Sequence, residues 1–370
     1  MLCPYATSTF LKNNSMPLLK NSDEISRYLH LDMFDYNGLP EHLVKTYSFY
    51  ENKFNSLYEE YSEIWDLENC FFYIKNSNSC NASAIKINGY NLINITNGYP
   101  VLMERKFREE LFRNQILVAI INEKNISDAY CQLHENQSFN IKEFMLECSI
   151  RFTFHHEFRH ILQFNNSNSR TNFNFQENLN TNTAFKMKKH AWEYDADRIA
   201  TAKVLGFAND TKTILGYEDD YLLKCILYIA LSSIIITKNL FYFNVINDYS
   251  NALSVKIKEF YTKKFSHPHS LVRMINIISY FIDCANDRYP SLGFEYQEVI
   301  NNVLGMNRLY FSSLTQDQSV LDDFFTEWKN NLNQINAYNN ELYEFAIRNK
   351  PIKQLLLYTG ADFGITSKSR

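Results

Sequence analysis

Glycine and proline are scarce in this 370-residue chain, which contains nine glycines and seven prolines. No G-x-G-x-x-G, G-x-x-x-x-G-K-S/T or G-x-S-x-G pattern can be drawn through the nine glycines. Phosphate loops and nucleophile elbows need glycines at such spacings, because the backbone there turns sharply or approaches a ligand closely. Their absence argues against Rossmann, P-loop and α/β-hydrolase chemistry.

The chain also lacks paired cysteines and an excess of positive charge. Its seven cysteines are scattered, odd in number and never spaced as C-x-x-C. This pattern argues against a disulfide framework or a zinc ribbon and indicates a reducing, cytoplasmic compartment. The formal net charge is -4, so no global basic field is available for nucleic acid or anionic lipid. We therefore expect neither nucleic acid nor a membrane as a partner.

The longest uninterrupted hydrophobic run falls short of a membrane span. The longest, residues 225–237, would span about 20 Å as a helix, whereas the hydrocarbon core of a bilayer is roughly 30 Å thick. We interpret this run as a buried helix, with membrane association through residues 221–245 as the alternative. Residues 1–20 show no basic segment followed by an apolar one, so no signal peptide is predicted.

Hydrophobic periodicity predicts an α+β fold that is mostly helical and has a small sheet. A helical N-terminal part, residues 1–68, precedes strands between residues 70 and 98. Asn88-Gly89 is typical of a type I′ hairpin turn, and Asn97-Gly98 indicates a second turn. The helical patterns that follow cover residues 103–123, 141–164, 186–206, 219–245, 250–264 and 268–284.

Two further segments organise the chain. Residues 165–182 are rich in asparagine and show no apolar period, which predicts a loop. A boundary near residues 286–290 separates a domain at residues 1–285 from a helical C-terminal region at residues 286–370. No internal repeat is apparent.

The histidines are the residues that indicate where a metal ion could bind. Six of the nine histidines lie between residues 155 and 269, and residues 156–160 read HEFRH, an H-E-x-x-H pattern within a helical segment. Side chains four residues apart share one face of a helix, so His156 and His160 can reach one metal ion. Glu157 then lies beside that ion, where it can accept a proton from a metal-bound water.

A third ligand is available on the next predicted helix. A catalytic zinc commonly has three protein ligands and one open position. Residues 193–197 read EYDAD, which places Glu193 and Asp197 on one helical face. Glu193 can complete a His2Glu set, and Asp197 can accept the other ring N–H of a ligand histidine.

Four segments in order resemble the HtpX, OMA and CAAX-prenyl-protease group of gluzincin metallopeptidases. They are HEFRH at residues 156–160, EYDAD at 193–197, SHPHSLVR at 266–273, and NASA at 81–84 followed by two strands and Gly98. The resemblance implies a zincin-like catalytic domain with active-site helices within residues 141–206. Most members of that group carry membrane spans or an export signal, so the soluble Lit-type phage-exclusion peptidases are the relatives that fit this chain.

The resemblance also implies roles for further residues. His156, His160 and Glu193 would bind zinc, and Glu157 would be the general base and acid. Asp197 would accept a hydrogen bond from the second ring N–H of a ligand histidine. His267 would lie near the metal and contact the developing oxyanion, with His269 as the alternative.

The remaining implied roles concern the surroundings of the metal. Arg273 would brace the same region by pairing with an acid. Ala82, Ser83 and Ala84 would belong to an edge strand that binds the substrate by strand addition. Arg159 departs from the family pattern, because a charge inside this helix must point outward or pair.

We therefore predict a soluble zinc metalloendopeptidase that cleaves a cytosolic protein, in a defence or stress role. The alternative is a degenerate zincin that serves as an interaction or sensor protein. A triggering partner is expected at residues 165–182 or at the C-terminal helices. Two other histidines are expected to lie outside the chemistry, His155 in a structural role and His190 in a solvated or capping role.

Overall fold

The computed structural model describes residues 22–167, 173–176, 184–243, 259–315 and 321–359. Within these ranges the protein is mostly helical and has one small mixed sheet, as the sequence predicts. The strands are β1 (Cys70–Lys75), β2 (Ala82–Ile87), β3 (Tyr90–Thr96) and β4 (Phe173–Gln176). The helices are α1 (Ser22–Leu29), α2 (Glu41–Ile64), α3 (Gly98–Lys106), α4 (Glu109–Ile120), α5 (Lys124–Glu135), α6 (Ile141–Asn166), α7 (Met187–Ile214), α8 (Asp220–Tyr242), α9 (Ser270–Arg288), α10 (Tyr296–Thr315), α11 (Asp322–Arg348) and α12 (Lys350–Thr359).

The sheet has the strand order β1-β3-β2-β4. β1 pairs in parallel with β3, and β2 pairs antiparallel with both β3 and β4. Asn88 and Gly89 join β2 to β3 with φ angles of 49° and 83°, which are the two positive values that a type I′ turn requires. The predicted hairpin is therefore confirmed.

The second predicted turn is confirmed at Asn97 and wrong at Gly98, which already begins α3. A Cβ atom at this position would lie 2.2 Å from the backbone oxygen of Asn78 and 2.4 Å from that of Ser79. Gly98 is thus needed for a close approach of two backbone segments rather than for a turn. The predicted helix 103–123 is also interrupted, since Phe107 and Arg108 separate α3 from α4.

Part of the asparagine-rich segment is a strand. β4 lies within residues 165–182 and pairs with β2, so the loop prediction is wrong for these four residues, as it is for residues 165 and 166, which end α6. Residues 168–172 and 177–183 lie outside the described part of the chain. The same holds for most of the predicted helix 250–264, whose described end, residues 259–264, is not helical.

Helix α6 occupies the centre of the protein. Asn140 caps its start by accepting a hydrogen bond from the backbone N–H of Glu143, the usual way of satisfying a free N–H at a helix N-terminus. The helix packs against α7, α8, α12 and the inner face of the sheet, and from Phe152 to Phe164 every residue is buried. The H-E-x-x-H residues therefore lie deep in the interior.

Among the described residues, α8 is the one helix long and apolar enough to cross a membrane. It lies inside the protein, however, with 83% of its most apolar 18-residue window buried. It packs against α5, α6, α7 and α10. A helix that is apolar all round needs such burial in a protein core, so the prediction of a buried helix is confirmed.

The helices beyond residue 286 pack on those that carry the motifs. α11 contacts α7 and α9, and α12 contacts α6. One link between them is a hydrogen bond from Trp192 Nε1 to Asn349 Oδ1 at 3.3 Å. The division of the chain near residue 286 stays a prediction.

Candidate metal centre

Two histidines of α6 and one glutamate of α7 meet in the protein interior. The Nε2 atoms of His156 and His160 are 3.1 Å apart. Glu193 Oε2 lies 3.3 Å from His156 Nε2, and Glu193 Oε1 lies 3.5 Å from His160 Nε2. Each of these side chains is at most 2% exposed. The structure thus brings together the three residues that the sequence predicts as metal ligands.

Asp197 determines which nitrogen of His156 carries the proton. It lies one helical turn after Glu193, and its Oδ1 atom is 3.1 Å from His156 Nδ1. An ionised carboxylate only accepts hydrogen bonds, so the proton of the neutral imidazole is assigned to Nδ1. The lone pair on Nε2 then points toward Glu193.

Gln163 does the same for His160 with a neutral side chain. Its Nε2 atom donates to the backbone oxygen of Trp192 at 3.0 Å and to Asp195 Oδ2 at 2.8 Å. These two acceptors orient the amide, so its Oε1 faces His160 Nδ1 at 2.8 Å. His160 must therefore donate from Nδ1, and its Nε2 also carries a lone pair.

Three acceptor groups consequently converge on one buried point. Two imidazole lone pairs and a carboxylate repel each other unless a cation lies among them. The separations of 3.1 to 3.5 Å match the distance of about 3.4 Å between two ligands of a tetrahedral zinc whose bonds are about 2.1 Å long. The arrangement is therefore suited to a metal ion.

Arg159, the charged residue inside the H-E-x-x-H segment, is buried and paired. Its Nε and Nη2 atoms donate to Asp195 Oδ2 and Oδ1 at 2.7 and 2.9 Å. Asp195 follows Glu193 by two residues, so this two-pronged ion pair joins the two helices that carry the metal ligands. Of the two expected outcomes, outward pointing or pairing, the structure shows pairing.

Arg273, from α9, braces the opposite side of the centre. Its Nε and Nη2 atoms donate to the two carboxylate oxygens of Asp197 at 2.7 and 2.6 Å, and Nη2 lies 3.1 Å from Glu193 Oε2. Burial by itself would raise the pKa of both carboxyls. Arg273, with the histidines beside Glu193 and with Lys238 beside Asp197, holds the pKa of each well below its ordinary value. Both groups are therefore ionised at neutral pH.

Glu157 lies at the wall of a pocket next to the ligands. It is 2% exposed, and it lines a small pocket together with His156. The other lining residues are Ala82, Phe152, Thr153, Thr237, Lys238 and Phe241. The predicted general base therefore borders open space beside the candidate metal ligands.

The structure distinguishes His267 from His269. His267 Nε2 lies 3.5 Å from Glu193 Oε1. His269 faces away from the ligands, since it accepts a hydrogen bond from Leu271 N at the start of α9 and lies 3.1 Å from the hydroxyl of Tyr242. His267 is thus the histidine of this segment that adjoins the candidate centre.

The two remaining histidines of the group are buried away from the ligand atoms. His155 packs edge-on against Tyr61, with ring centroids 4.5 Å apart, as expected for a structural residue. His190 is neither solvated nor a helix cap in its described hydrogen bonds, contrary to the prediction of a solvated or capping role. It is buried between the hydroxyl of Tyr338, 2.8 Å from Nδ1, and the backbone oxygen of Phe265, 2.7 Å from Nε2.

The prediction that β2 is an edge strand is wrong. β4 covers its free side from Ser83 to Lys86, with Ser83 opposite Gln176 and Ala84 opposite Phe175. Ala82 lies beyond this pairing and is the residue of the predicted substrate segment that lines the pocket. Ser83 and Ala84 are buried within the sheet.

Gln163, Asp195 and Lys238 are missed by reasoning from the sequence. For Gln163 a signal was present, because it follows His160 by three residues and so shares its helical face. Asp195 could have been chosen as the partner that the charge on Arg159 requires. Lys238 shows only as a charge at the end of an apolar run, so its place depends on how α8 packs.

No protein-family model, curated protein or solved structure matches this chain.

Proposed function

We propose that this protein is a zinc-dependent metalloendopeptidase of the gluzincin type. The observation that carries the proposal is the convergence of the Nε2 atoms of His156 and His160 with the carboxylate of Glu193, next to a pocket that Glu157 lines. Two imidazoles and one carboxylate form a donor set that catalytic zinc sites use. The Nδ1 contacts of both histidines, at 3.1 Å from Asp197 Oδ1 and 2.8 Å from Gln163 Oε1, support the same assignment, since ligand histidines almost always direct their second ring N–H to such an acceptor.

When bound, zinc supplies polarisation of a peptide carbonyl and a water whose pKa falls to about 7. Glu157 takes a proton from the attacking water and passes it to the nitrogen of the leaving amine as the C–N bond breaks. His267 stabilises the negative charge that develops on the carbonyl oxygen. Asp197 and Gln163 keep both ligand histidines in the tautomer that binds a metal, and Arg273 keeps Glu193 ionised.

The substrate we propose is a cytosolic protein, and the setting is defence or stress. The order of the motifs along the chain supports a place among the gluzincins, near the soluble Lit-type phage-exclusion peptidases. A partner that triggers cleavage at residues 165–182 or at the C-terminal helices stays a prediction. The alternative of a degenerate interaction protein loses one of its supports, because Arg159 pairs with Asp195 and does not disturb the ligands.

Glu157→Gln tests the proposal. The purified wild type and the variant should each hold about one zinc per chain, because Glu157 is not a ligand. Quantitative proteomics of cells expressing each protein should show cleaved host proteins with the wild type alone, and the rate on any such substrate should fall at least about 100-fold in the variant.

Two results would contradict the proposal. Equal proteolysis by the variant would remove Glu157 from the mechanism. Purified protein without zinc, whose thermal unfolding is indifferent to a chelator, would instead favour an interaction protein.

A further inference from the structure

The candidate metal centre is closed in this structure. The three candidate ligands and Glu157 are each at most 2% exposed, and the pocket beside Glu157 has room for about one water. A peptidase has to place the cleaved carbonyl beside its metal and to hold the residues on either side of that bond. Part of the protein therefore has to move before a peptide can reach the centre.

Strand β2 leads from this centre to β4. Its first residue, Ala82, lines the pocket together with His156 and Glu157. β3 pairs along one side of β2, and β4 pairs antiparallel along the other side from Ser83 to Lys86. A peptide that adds to β2 beside the centre would have to take the side that β4 occupies, which begins one residue away from Ala82.

The backbone of β2 directs hydrogen-bonding groups toward that side. The carbonyl oxygen of Asn81 accepts a hydrogen bond from Thr96 N at 3.0 Å, so Asn81 directs its groups toward β3. Because the direction alternates along a strand, Ala82, Ala84 and Lys86 direct their N–H and C=O groups toward the β4 side. A row of main-chain donors and acceptors thus runs along this side of β2 to the pocket, which is the arrangement that strand addition uses.

Strand β4 is short, and it is held mainly by β2. It lies at the end of the strand order β1-β3-β2-β4, and β2 is the described element that it contacts most. By the same alternation, Phe173 and Phe175 form the hydrogen-bonded pairs with Lys86 and Ala84. Asn174, between them, directs its N–H away from β2. An edge element with so few backbone hydrogen bonds can open locally while the rest of the protein stays folded.

The chain that carries β4 meets the rest of the protein on both sides of the centre. On one side β4 pairs with β2, whose first residue lines the pocket. On the other side Ala184 pairs antiparallel with Phe265, two residues before His267. His267 Nε2 in turn lies 3.5 Å from Glu193 Oε1. Both attachments therefore adjoin the candidate metal ligands.

We propose that β4 occupies the position on β2 that a peptide substrate takes, so that this form of the peptidase is latent. A substrate reaches the candidate metal only after β4 leaves β2. The strand that replaces β4 is an extended chain, such as an unfolded stretch of a cytosolic protein, because strand addition pairs main-chain N–H and C=O groups. The identity of that strand as a substrate rests on the proposed peptidase function, whereas the displacement of β4 does not.

The first experiment weakens β4. The probe is a labelled synthetic peptide with the sequence of residues 171–178, added to full-length protein in the Glu157→Gln background so that the peptide is not cut. Phe175→Pro lacks the N–H that faces Ala84, whereas Phe175→Ala keeps it. Phe175→Pro should therefore bind the peptide about five- to tenfold more tightly than Phe175→Ala, since losing one backbone hydrogen bond raises the open population by that factor.

Asn174 supplies the matched control for this comparison. Asn174→Pro removes an N–H that faces away from β2, a position where an edge strand tolerates proline. Asn174→Pro and Asn174→Ala should bind the peptide equally well. A peptide of the same composition in scrambled order shows how much of the binding depends on sequence.

The second experiment fixes β4 in place. Ile85 and Asn174 form a non-hydrogen-bonded antiparallel pair, whose Cα separation of about 4.5 Å suits a disulfide. Ile85→Cys combined with Asn174→Cys should lose at least about tenfold in peptide affinity on oxidation and regain it on reduction. Zinc-loaded protein with Glu157 intact should lose and regain proteolysis in the same way.

The control for the disulfide joins β2 to β3 instead. Ile87→Cys combined with Tyr90→Cys places a cross-link at the hairpin on the same face of the sheet and leaves β4 unconstrained. Its peptide binding and proteolysis should be equal before and after oxidation. Because both double variants contain the native cysteines, this control also accounts for oxidation elsewhere in the chain.

The results separate the role of β4 from the activity. Peptide binding or proteolysis that oxidation of the Ile85→Cys, Asn174→Cys variant leaves unchanged overturns the latency of this form, and such proteolysis leaves the peptidase proposal intact. Equal binding by Phe175→Pro and Phe175→Ala also overturns the latency. Peptide binding that oxidation blocks, in a protein that cuts no peptide in either state, supports the displacement of β4 and contradicts the peptidase.

Discussion

The two candidate histidine ligands lie one turn apart on the same helix, yet different chemistry supports them. His156 is backed by a carboxylate, Asp197, which lies between Arg273 and Lys238. His160 is backed by the neutral amide of Gln163. That amide in turn donates a hydrogen bond to the carboxylate of Asp195. A carboxylate partner raises the basicity of an imidazole more than a neutral amide does. One side of the centre therefore supplies charge to its ligand, and the other side mainly orients its ligand.

The largest effect should follow from breaking the ion pair behind His160. Arg159→Met leaves Asp195 buried without its partner, which should lower the free energy of unfolding by about 3–5 kcal/mol in a urea titration. Lys142→Met is the matched control, because Lys142 forms a partly exposed pair with Glu104 and should cost no more than about 1 kcal/mol.

A second variant shows whether the loss comes from the uncompensated charge. Asp195→Asn combined with Arg159→Met removes both charges and keeps an acceptor for Gln163, so it should recover most of the lost stability. Equal destabilisation by Arg159→Met and Lys142→Met would show that the buried ion pair behind His160 contributes no more to stability than a partly exposed one.

Removing either support should lower the affinity for zinc, and the loss should be larger behind His156 than behind His160. Supports behind metal ligands contribute about 10–100-fold to affinity. Asp197→Asn, which removes charge, should lie near the upper end of that range, and Gln163→Leu, which removes only orientation, near the lower end. Competition with a zinc chelator measures both. A larger loss for Gln163→Leu would reverse the assignment of charge to one side and geometry to the other.

The smallest effect concerns His190, which has only neutral partners and lies outside the ligand set. Burial lowers its pKa to about 4, whereas the unfolded value is about 6.5. Between these pH values only the unfolded chain binds this proton, so stability should fall as the pH falls, by at most about 1.4 kcal/mol per unit.

His190→Gln should therefore flatten the pH dependence of the free energy of unfolding between pH 6.5 and 5. His42→Gln is the control, since His42 is exposed on α2 and the substitution should leave the slope unchanged. An unaltered slope in His190→Gln would show that this histidine is not held neutral.

Features that depend on local spacing were predictable from the sequence. The turn at Asn88-Gly89, the apolar helix α8 and the pairing of His156 with His160 on one helical face all follow from residues within one or two turns of each other. The third ligand, Glu193, lies more than thirty residues farther along the chain. It could be predicted because a His2Glu set needs a carboxylate from a second helix, and the next predicted helix offers only a few acidic residues.

Features that depend on contacts between distant elements were not predictable. Gly98 has the residue type of a turn but serves a close approach to Asn78, which only the folded chain reveals. β4 reads FNFQ and alternates aromatic with polar residues as strands do, but it is only four residues long within an asparagine-rich segment, and its pairing with β2 decides its conformation. The position of Lys238 follows from the rotation of α8 against α6, which hydrophobic periodicity leaves open over a run that is apolar on every face.

The ion pair between Arg159 and Asp195 restricts how the two motifs can change during evolution. One partner lies inside HEFRH and the other inside EYDAD, so a lineage that loses either charge alone keeps a buried charge that has no partner. Selection should therefore retain the two residues together or replace them together. Arginine in the first motif and aspartate in the second form a two-part signature, by which true relatives of this chain can be told from sequences that contain H-E-x-x-H by chance.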